Sequence, residues 1–175
     1  NSNLISIGEY SFYGSSIEHI SIPAHLKNID SFAFYYAEKL KSFTFSYNYE
    51  IESIENNVSD QSSINSINCL GNEFANNYLL TKINENTFKE TIITEIFIPS
   101  SVEIIEEYSF ENCNQLKKVI FDKNSKLTEI KKKAFHSTQI KEINIPQHVR
   151  FIRESAFLSC KSLQIIKFEP NSELE

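Results

Sequence analysis

The 175-residue chain contains no tryptophan and no methionine, and only three glycines, four prolines and three cysteines. So little glycine and proline excludes collagen-like and low-complexity disordered chains. It also leaves no glycine-rich loop to cradle a phosphate. No run approaches the roughly 18 consecutive apolar residues that a bilayer-spanning helix needs, so no membrane contact is expected from this segment. The formal net charge of −6 is spread without long acidic blocks, which serves solubility and argues against a nucleic-acid partner. The one basic run, Lys131-Lys132-Lys133, reads as a solvated turn rather than an anion site. Three cysteines cannot all pair with one another. Cys113 and Cys160 each follow a phenylalanine by three residues, so they occupy one slot of a repeat, two units apart. At a strand spacing of ~4.8 Å that is about 10 Å, beyond the reach of a disulfide. Both, with Cys69, read as small core residues. No His, Cys, Asp and Glu set falls at ligand spacing, so no metal or cofactor is expected.

What the chain does have is a recurring apolar triplet: a large aliphatic, two polar residues, an apolar, one variable residue, an apolar. It begins at 17, 40, 64, 93, 116, 140 and 163, with steps of 23, 24, 29, 23, 24 and 23. A period of this length marks stacked supersecondary units, a solenoid with one continuous core and a long repeated surface. In the clearest unit, Leu127 to Pro146, alternation over Ile140–Ile145 predicts a short strand with Ile143 and Ile145 inward, ended by Pro146. The same punctuation recurs at Ile22-Pro23 and Ile98-Pro99.

A second repeated feature is a phenylalanine that plugs each coil: Phe12, Phe34, Phe88, Phe110, Phe135 and Phe157. Burying each ring stabilises the fold by roughly 2–3 kcal/mol. One rung is missing, where Ser59 stands in its place, and the next step is lengthened through residues 70–78. A weak coil around 50–64 and a protruding loop near 70–79 are the expectation. The sole glycosylation sequon, Asn57-Val58-Ser59, falls in that coil.

The segments Ile98-Pro99-Ser100-Ser101-Val102-Glu103-Ile104-Ile105 and Tyr108-Ser109-Phe110-Glu111-Asn112-Cys113-Asn114-Gln115-Leu116 resemble the BspA-type leucine-rich repeat. The resemblance covers essentially the whole chain and is weakest from about 50 to 80; the family's Ile-Gly pair survives only as Ile7-Gly8. It implies an α/β-type repeat solenoid, a leucine-rich repeat horseshoe or right-handed superhelix. Each ~23-residue repeat would give one short parallel strand, backed by a mostly irregular or short helical opposite wall. Residues 1–175 then form a single domain of about seven repeats. The absent initiating Met and the repeat cut at Leu174-Glu175 read as a piece of a longer array, whose uncapped ends could pair edge to edge. The family occurs in bacteria and in parasitic protists such as trichomonads. The heavy use of Asn, Lys and Ile is in keeping with a protist source. Many family members are surface or secreted adhesion proteins.

In such a solenoid the variable strand residues point outward. Their first row reads His19, Ser42, Ser66, Glu95, Lys118, Glu142 and Ile165, and their second Ser21, Thr44, Asn68, Phe97, Ile120, Asn144 and Lys167. The second half combines apolar anchors with charge, the composition of a recognition patch. Phe97, Lys118, Ile120, Glu142, Asn144, Ile165 and Lys167 are therefore the candidate protein-binding surface. No catalytic constellation is visible: the four histidines fall in different slots, and pairs such as Glu106-Glu107 lie in turns. The expectation is a non-enzymatic cell-surface or secreted adhesion module for host or microbial proteins or glycans. The alternative is an intracellular, cytoplasmic scaffold or regulatory protein binding a protein partner, which three unpaired cysteines favour.

Overall fold

A computed structural model describes residues 3–46, 49–69 and 79–175. Each coil contributes two parallel strands rather than the expected one. Short strands open the coils at Ser6–Ile7 (β1), Asn28–Ile29 (β3), Ser53–Ile54 (β5), Lys82–Ile83 (β7), Ile104–Ile105 (β9), Glu129–Ile130 (β11) and Phe151–Ile152 (β13). Four-residue strands close them at His19–Ile22 (β2), Ser42–Phe45 (β4), Ser66–Cys69 (β6), Glu95–Ile98 (β8), Lys118–Phe121 (β10), Glu142–Ile145 (β12) and Ile165–Phe168 (β14). The long strands end where the triplets end, and Pro23, Pro99 and Pro146 follow at once because proline has no N–H for the ladder. Each of these prolyl carbonyls accepts from the amide three residues on, turning the chain toward a buried Leu26, Val102 or Val149.

The opposite wall is not helical: among the described residues there is no helix, and this wall consists of turns and the short strands. The reason lies in the backbone. Each coil carries two residues in the left-handed region, two before and two after the plug: Tyr10 and Gly14, Phe32 and Tyr36, Asn57 and Gln61, and so on to Ser155 and Ser159. Such a residue ends any helical run after one turn. The chain instead makes amide-to-carbonyl bonds three residues back, as in Ser11 to Gly8 (3.2 Å) and Tyr13 to Tyr10 (3.1 Å).

Stacking is held by three hydrogen-bonded rails: long strands, short strands, and the plug turns. In the last, each plug amide donates to the carbonyl preceding the next plug: Phe12 to Ala33, Phe34 to Val58, Phe110 to Ala134, Phe135 to Ala156, all at 2.8–2.9 Å. The rings themselves stack face to face, Phe12 on Phe34 at 5.1 Å, Phe88 on Phe110 at 5.5 Å, Phe110 on Phe135 at 5.1 Å and Phe135 on Phe157 at 5.4 Å. The small slot three residues later forms a polar ladder. Thr91 Oγ1 and Cys113 Sγ both donate to the Phe88 carbonyl (2.7 and 3.0 Å), and Cys160 Sγ donates to that of Phe135 at 3.0 Å. Cys113 and Cys160 are thus buried free thiols with Thr138 between them, as the spacing predicts. The side chain of Cys69 lies outside the described residues.

The missing rung is where the sequence places it. Ser59 occupies the plug slot, its amide and its hydroxyl (2.7 Å) both donating to the Thr87 carbonyl. With no ring between Phe34 and Phe88, an apolar cavity of about 40 Å³ opens among Ile51, Ile54, Ile67, Leu80, Ile83 and Phe88. Both strand rows break at the same level: β5 does not pair with β7, nor β6 with β8. Asn84 Nδ2 bridges the gap to the Ile54 carbonyl at 3.0 Å. The coil is closed nonetheless, with Ile51, Val58 and Ile64 fully buried. The loop expected near 70–79 lies, apart from Leu79, outside the described residues.

Candidate functional site

Alternation along the long strands sorts side chains by direction. Ile96 and Ile98 of β8, Val119 of β10, and Ile143 and Ile145 of β12 face the core, leaving the first and third positions outward. The observed register sets Phe97 beside Ile120 and Lys118 beside Glu95 on β8 and β10. It sets Glu142 beside Ile165 and Asn144 beside Lys167 on β12 and β14. The seven candidate residues therefore share one face in two rows. Ile120 is 36% exposed and Ile165 44%. Lys167 reaches back to form an ion pair with Glu142. Phe97 is the exception in burial: it is half-buried and lines the cavity at the strand break with Phe45, Ile67 and Pro99. The first half of the face is polar, with His19 Nδ1 2.8 Å from Ser42 Oγ. On β14 the inward Ile166 and Phe168 are also uncovered, at 46% and 47% exposure.

Several polar groupings were not legible because their partners sit one coil away. His25 pairs with Glu50 (3.2 Å), His148 with Glu173 (2.8 Å) and His136 with Glu111 (3.3 Å). The recurring signal was there in the shared slot, 22 to 25 residues apart. One slot after the plug forms a polar column: Asp60, Lys89, Glu111, His136. The Glu111 carboxylate is buried and receives Lys89 at 3.6 Å and Lys133 at 3.7 Å besides His136. Asp60 is also buried, with one carboxylate oxygen unpartnered, and burial pushes its carboxyl up to about 6 against the opposing pull of Lys89. The basic run is consumed in the same way: Lys131 pairs with Glu106 (2.7 Å) and Lys132 with Glu154 (3.2 Å), and both ammonium groups are raised by those hydrogen bonds.

These groups hold coils together, and Lys131, Lys132 and Glu154 also line an open, shallow recess with Glu107, Glu129 and Arg153. Burial pushes the Cys113 thiol up to about 12, so it is no thiolate nucleophile at neutral pH. Among the described residues no group of three or more His, Cys, Asp or Glu could hold a metal ion. No helix there is long and apolar enough to cross a membrane. In the sequon, Val58 and Ser59 are buried and the serine hydroxyl is occupied, so the folded chain does not present it as an acceptor.

Stacked parallel coils of some 23 residues, with an apolar interior and one long-strand face of variable residues, define a leucine-rich repeat solenoid of about seven turns. Residues 1–79 and 81–174 match the BspA type leucine rich repeat region in six copies. The chain belongs to that family. Solved structures of similar fold include a leucine rich cell surface protein from Faecalibacterium prausnitzii, with 23% identity, a TM-score of 0.74, and coverage of 97% of this chain and 43% of that one. The pneumococcal vaccine antigen PcpA aligns with 22% identity and a TM-score of 0.78 over 97% of this chain and 44% of its own. A leucine-rich repeat protein from Bacteroides ovatus aligns with 24% identity and a TM-score of 0.72 over 95% and 42%. The chain spans less than half the length of each. No curated protein matches.

Proposed function

We propose that this chain is a non-enzymatic recognition module that binds a protein or glycan through its long-strand face, as part of a cell-surface or secreted adhesion protein. The observation that carries the reading is the outward alternation of β8, β10, β12 and β14, with β8 in register with β10 and β12 in register with β14. It gathers Phe97, Lys118, Ile120, Glu142, Asn144, Ile165 and Lys167 on one face, with exposed Ile120 and Ile165 set among paired charges. Exposed apolar side chains that the core does not use are the anchors such an interface needs, and the charged neighbours orient a partner. The surface names of the Faecalibacterium protein and of the pneumococcal antigen favour this setting. A second reading, an intracellular scaffold, draws on the free thiols of Cys113 and Cys160. Their burial and hydrogen bonds protect them in either compartment, so they weigh little.

Binding to a panel of matrix proteins and mucin-type glycans, measured for the wild type and for Ile120→Asp with Ile165→Asp, tests the face. The double variant should keep its far-ultraviolet spectrum and lose at least about tenfold in affinity for the panel member bound by the wild type. Undiminished binding by the double variant would remove the long-strand face from consideration.

A further inference from the structure

The turns between the short and the long strands carry a second surface, away from the long-strand face. Its outer slots lie two residues before the plug and one and two after it. In the first two coils they hold Tyr10 and Tyr13, then Phe32, Tyr35 and Tyr36. Tyr10 stacks on Phe32 at 5.1 Å with the planes 6° apart, and Tyr13 on Tyr35 at 6.0 Å and 25°. The two columns meet edge to face, Tyr10 with Tyr13 at 5.8 Å and Phe32 with Tyr35 at 5.5 Å. Tyr36 extends the tile, 4.6 Å from Tyr35 and 6.1 Å from Tyr13. The first four rings line a shallow, open recess. Tyr10 and Tyr13 are 50% and 53% exposed, so they add little to the core.

The fold does not ask for these rings. Tyr10, Phe32 and Tyr36 have φ of 56°, 60° and 55°, a region in which bulky side chains are strained. Later coils fill the same slots mostly with residues that tolerate it, such as Asn57, Asn86, Asn112 and Ser137. Among the described later coils Tyr108 alone repeats an aromatic at positive φ, and its ring is half-buried, so strain accepted in two adjacent coils to expose Tyr10 and Tyr36 points to a binding role.

The charges around the rings say what would bind. In the later coils the aromatic faces near these turns are covered by cations of the chain itself. Lys133 Nζ lies 5.7 Å over Tyr108, which shares the slot of Tyr10, and Arg150 and Arg153 lie 5.4 and 4.2 Å over Phe151. No described cation covers any of the five rings in the first two coils. Their turns, residues 8–15 and 30–39, hold the carboxylates of Glu9, Asp30 and Glu38 against the single ammonium of Lys39. The phenol of Tyr35 is raised by burial and by the nearby Asp60, so negative charge adjoins the tile from the following coil as well.

We propose that this tyrosine wall docks a basic segment of a partner protein, whose Arg or Lys side chains take the place that Lys133 takes over Tyr108. The guanidinium or ammonium packs on the ring faces and edges while the carboxylates and phenol oxygens accept its hydrogen bonds. The probes are a fluorescein-labelled Arg-Gly-Ser repeat peptide, its citrulline counterpart of the same shape without the charge, an uncharged proline-rich peptide and a neutral oligosaccharide. Each is titrated at near-physiological ionic strength into the wild type and into Tyr10→Asn with Tyr13→Ser. These substitutions leave the net charge untouched, so general attraction to the acidic chain is retained, and asparagine suits the φ at position 10.

The Arg peptide should bind the wild type, the citrulline peptide should bind at least about tenfold more weakly, and the variant should lose a similar factor for the Arg peptide. Its melting temperature should be unchanged or higher. Equal binding of the Arg peptide by wild type and variant, or preference of the wild type for the citrulline peptide, the proline-rich peptide or the oligosaccharide, overturns the proposal. If the double variant melts early, Tyr10→Asn alone is read by the same criteria. Because Ile120 and Ile165 are untouched, failure here leaves the long-strand reading standing, and the reverse holds too.

Discussion

Asp60 shows what becomes of a side chain in a coil without its ring. It follows Ser59 in the slot that Lys89 and Glu111 occupy in the next two coils, yet one of its oxygens has no partner. Burial lifts its carboxyl from 3.8 to about 6. The folded chain therefore keeps a proton over that window which the unfolded chain has already released. The contribution of Asp60 to stability is greatest below pH about 4, falls as pH rises to about 6, and is level above that. Removing the charge should reverse the loss. Asp60→Asn is expected to raise stability at pH 7 by up to about 3 kcal/mol, from a shift of roughly two pK units, and to change it little at pH 4. Urea unfolding at the two pH values checks this; an equal effect at both would assign the change to something other than ionisation.

At the scale of the coil, the plug outweighs any surface pair. Phe110 is fully buried and stacked on both sides, by Phe88 and Phe135, whereas Phe12 is half-buried with Phe34 on one side only. Phe110→Ala should cost about 3–5 kcal/mol and Phe12→Ala clearly less, read as the shift in urea midpoint; the reverse order would deny the ring stack its role. This part of the coil was legible in the sequence because an interior slot accepts few residue types. The triplets, the plugs, the gap at Ser59 and the terminating prolines all reduce to one such slot each. The turn wall was not legible as turns. Its mark was the recurrence of Asn, Ser, Gly and Gln two residues either side of the plug, at Gly14, Asn57, Gln61, Asn86 and Asn112, diluted by Tyr10, Phe32 and Tyr36. Nor were the ion pairs, since outward slots vary freely and Lys131 meets Glu106 only once the coils stack. Of the candidate face, the direction and alignment of its residues could be read. The partial burial of Phe97 could not, because the missing plug at Ser59 marks a weak coil but not that the cavity there takes in an outward residue of β8.

Across the whole molecule, neighbouring coils touch only one another, so the stability of the array is approximately a sum of coil and interface terms. The weakest interface lies between the Ser59 coil and the next. There the ring stack, the long-strand row and the short-strand row all lapse together, and a cavity remains. Beyond it the short-strand row runs unbroken from β7 to β13 and the plug rings stack from Phe88 to Phe157, while the long strands pair as β8 with β10 and β12 with β14. That division of labour, inward residues for the fold and outward residues free for a partner, is the centre of the account. It is tested most directly on two adjacent residues of β12. Ile143 is 1% exposed and faces the core, and Asn144 is exposed on the candidate face. Urea unfolding of Ile143→Asp should show a loss of more than about 4 kcal/mol, or no folded chain at all, from a charge placed in the core. Asn144→Asp should stay within about 0.5 kcal/mol of the wild type, as a surface change does. Similar losses in the two variants would contradict the account.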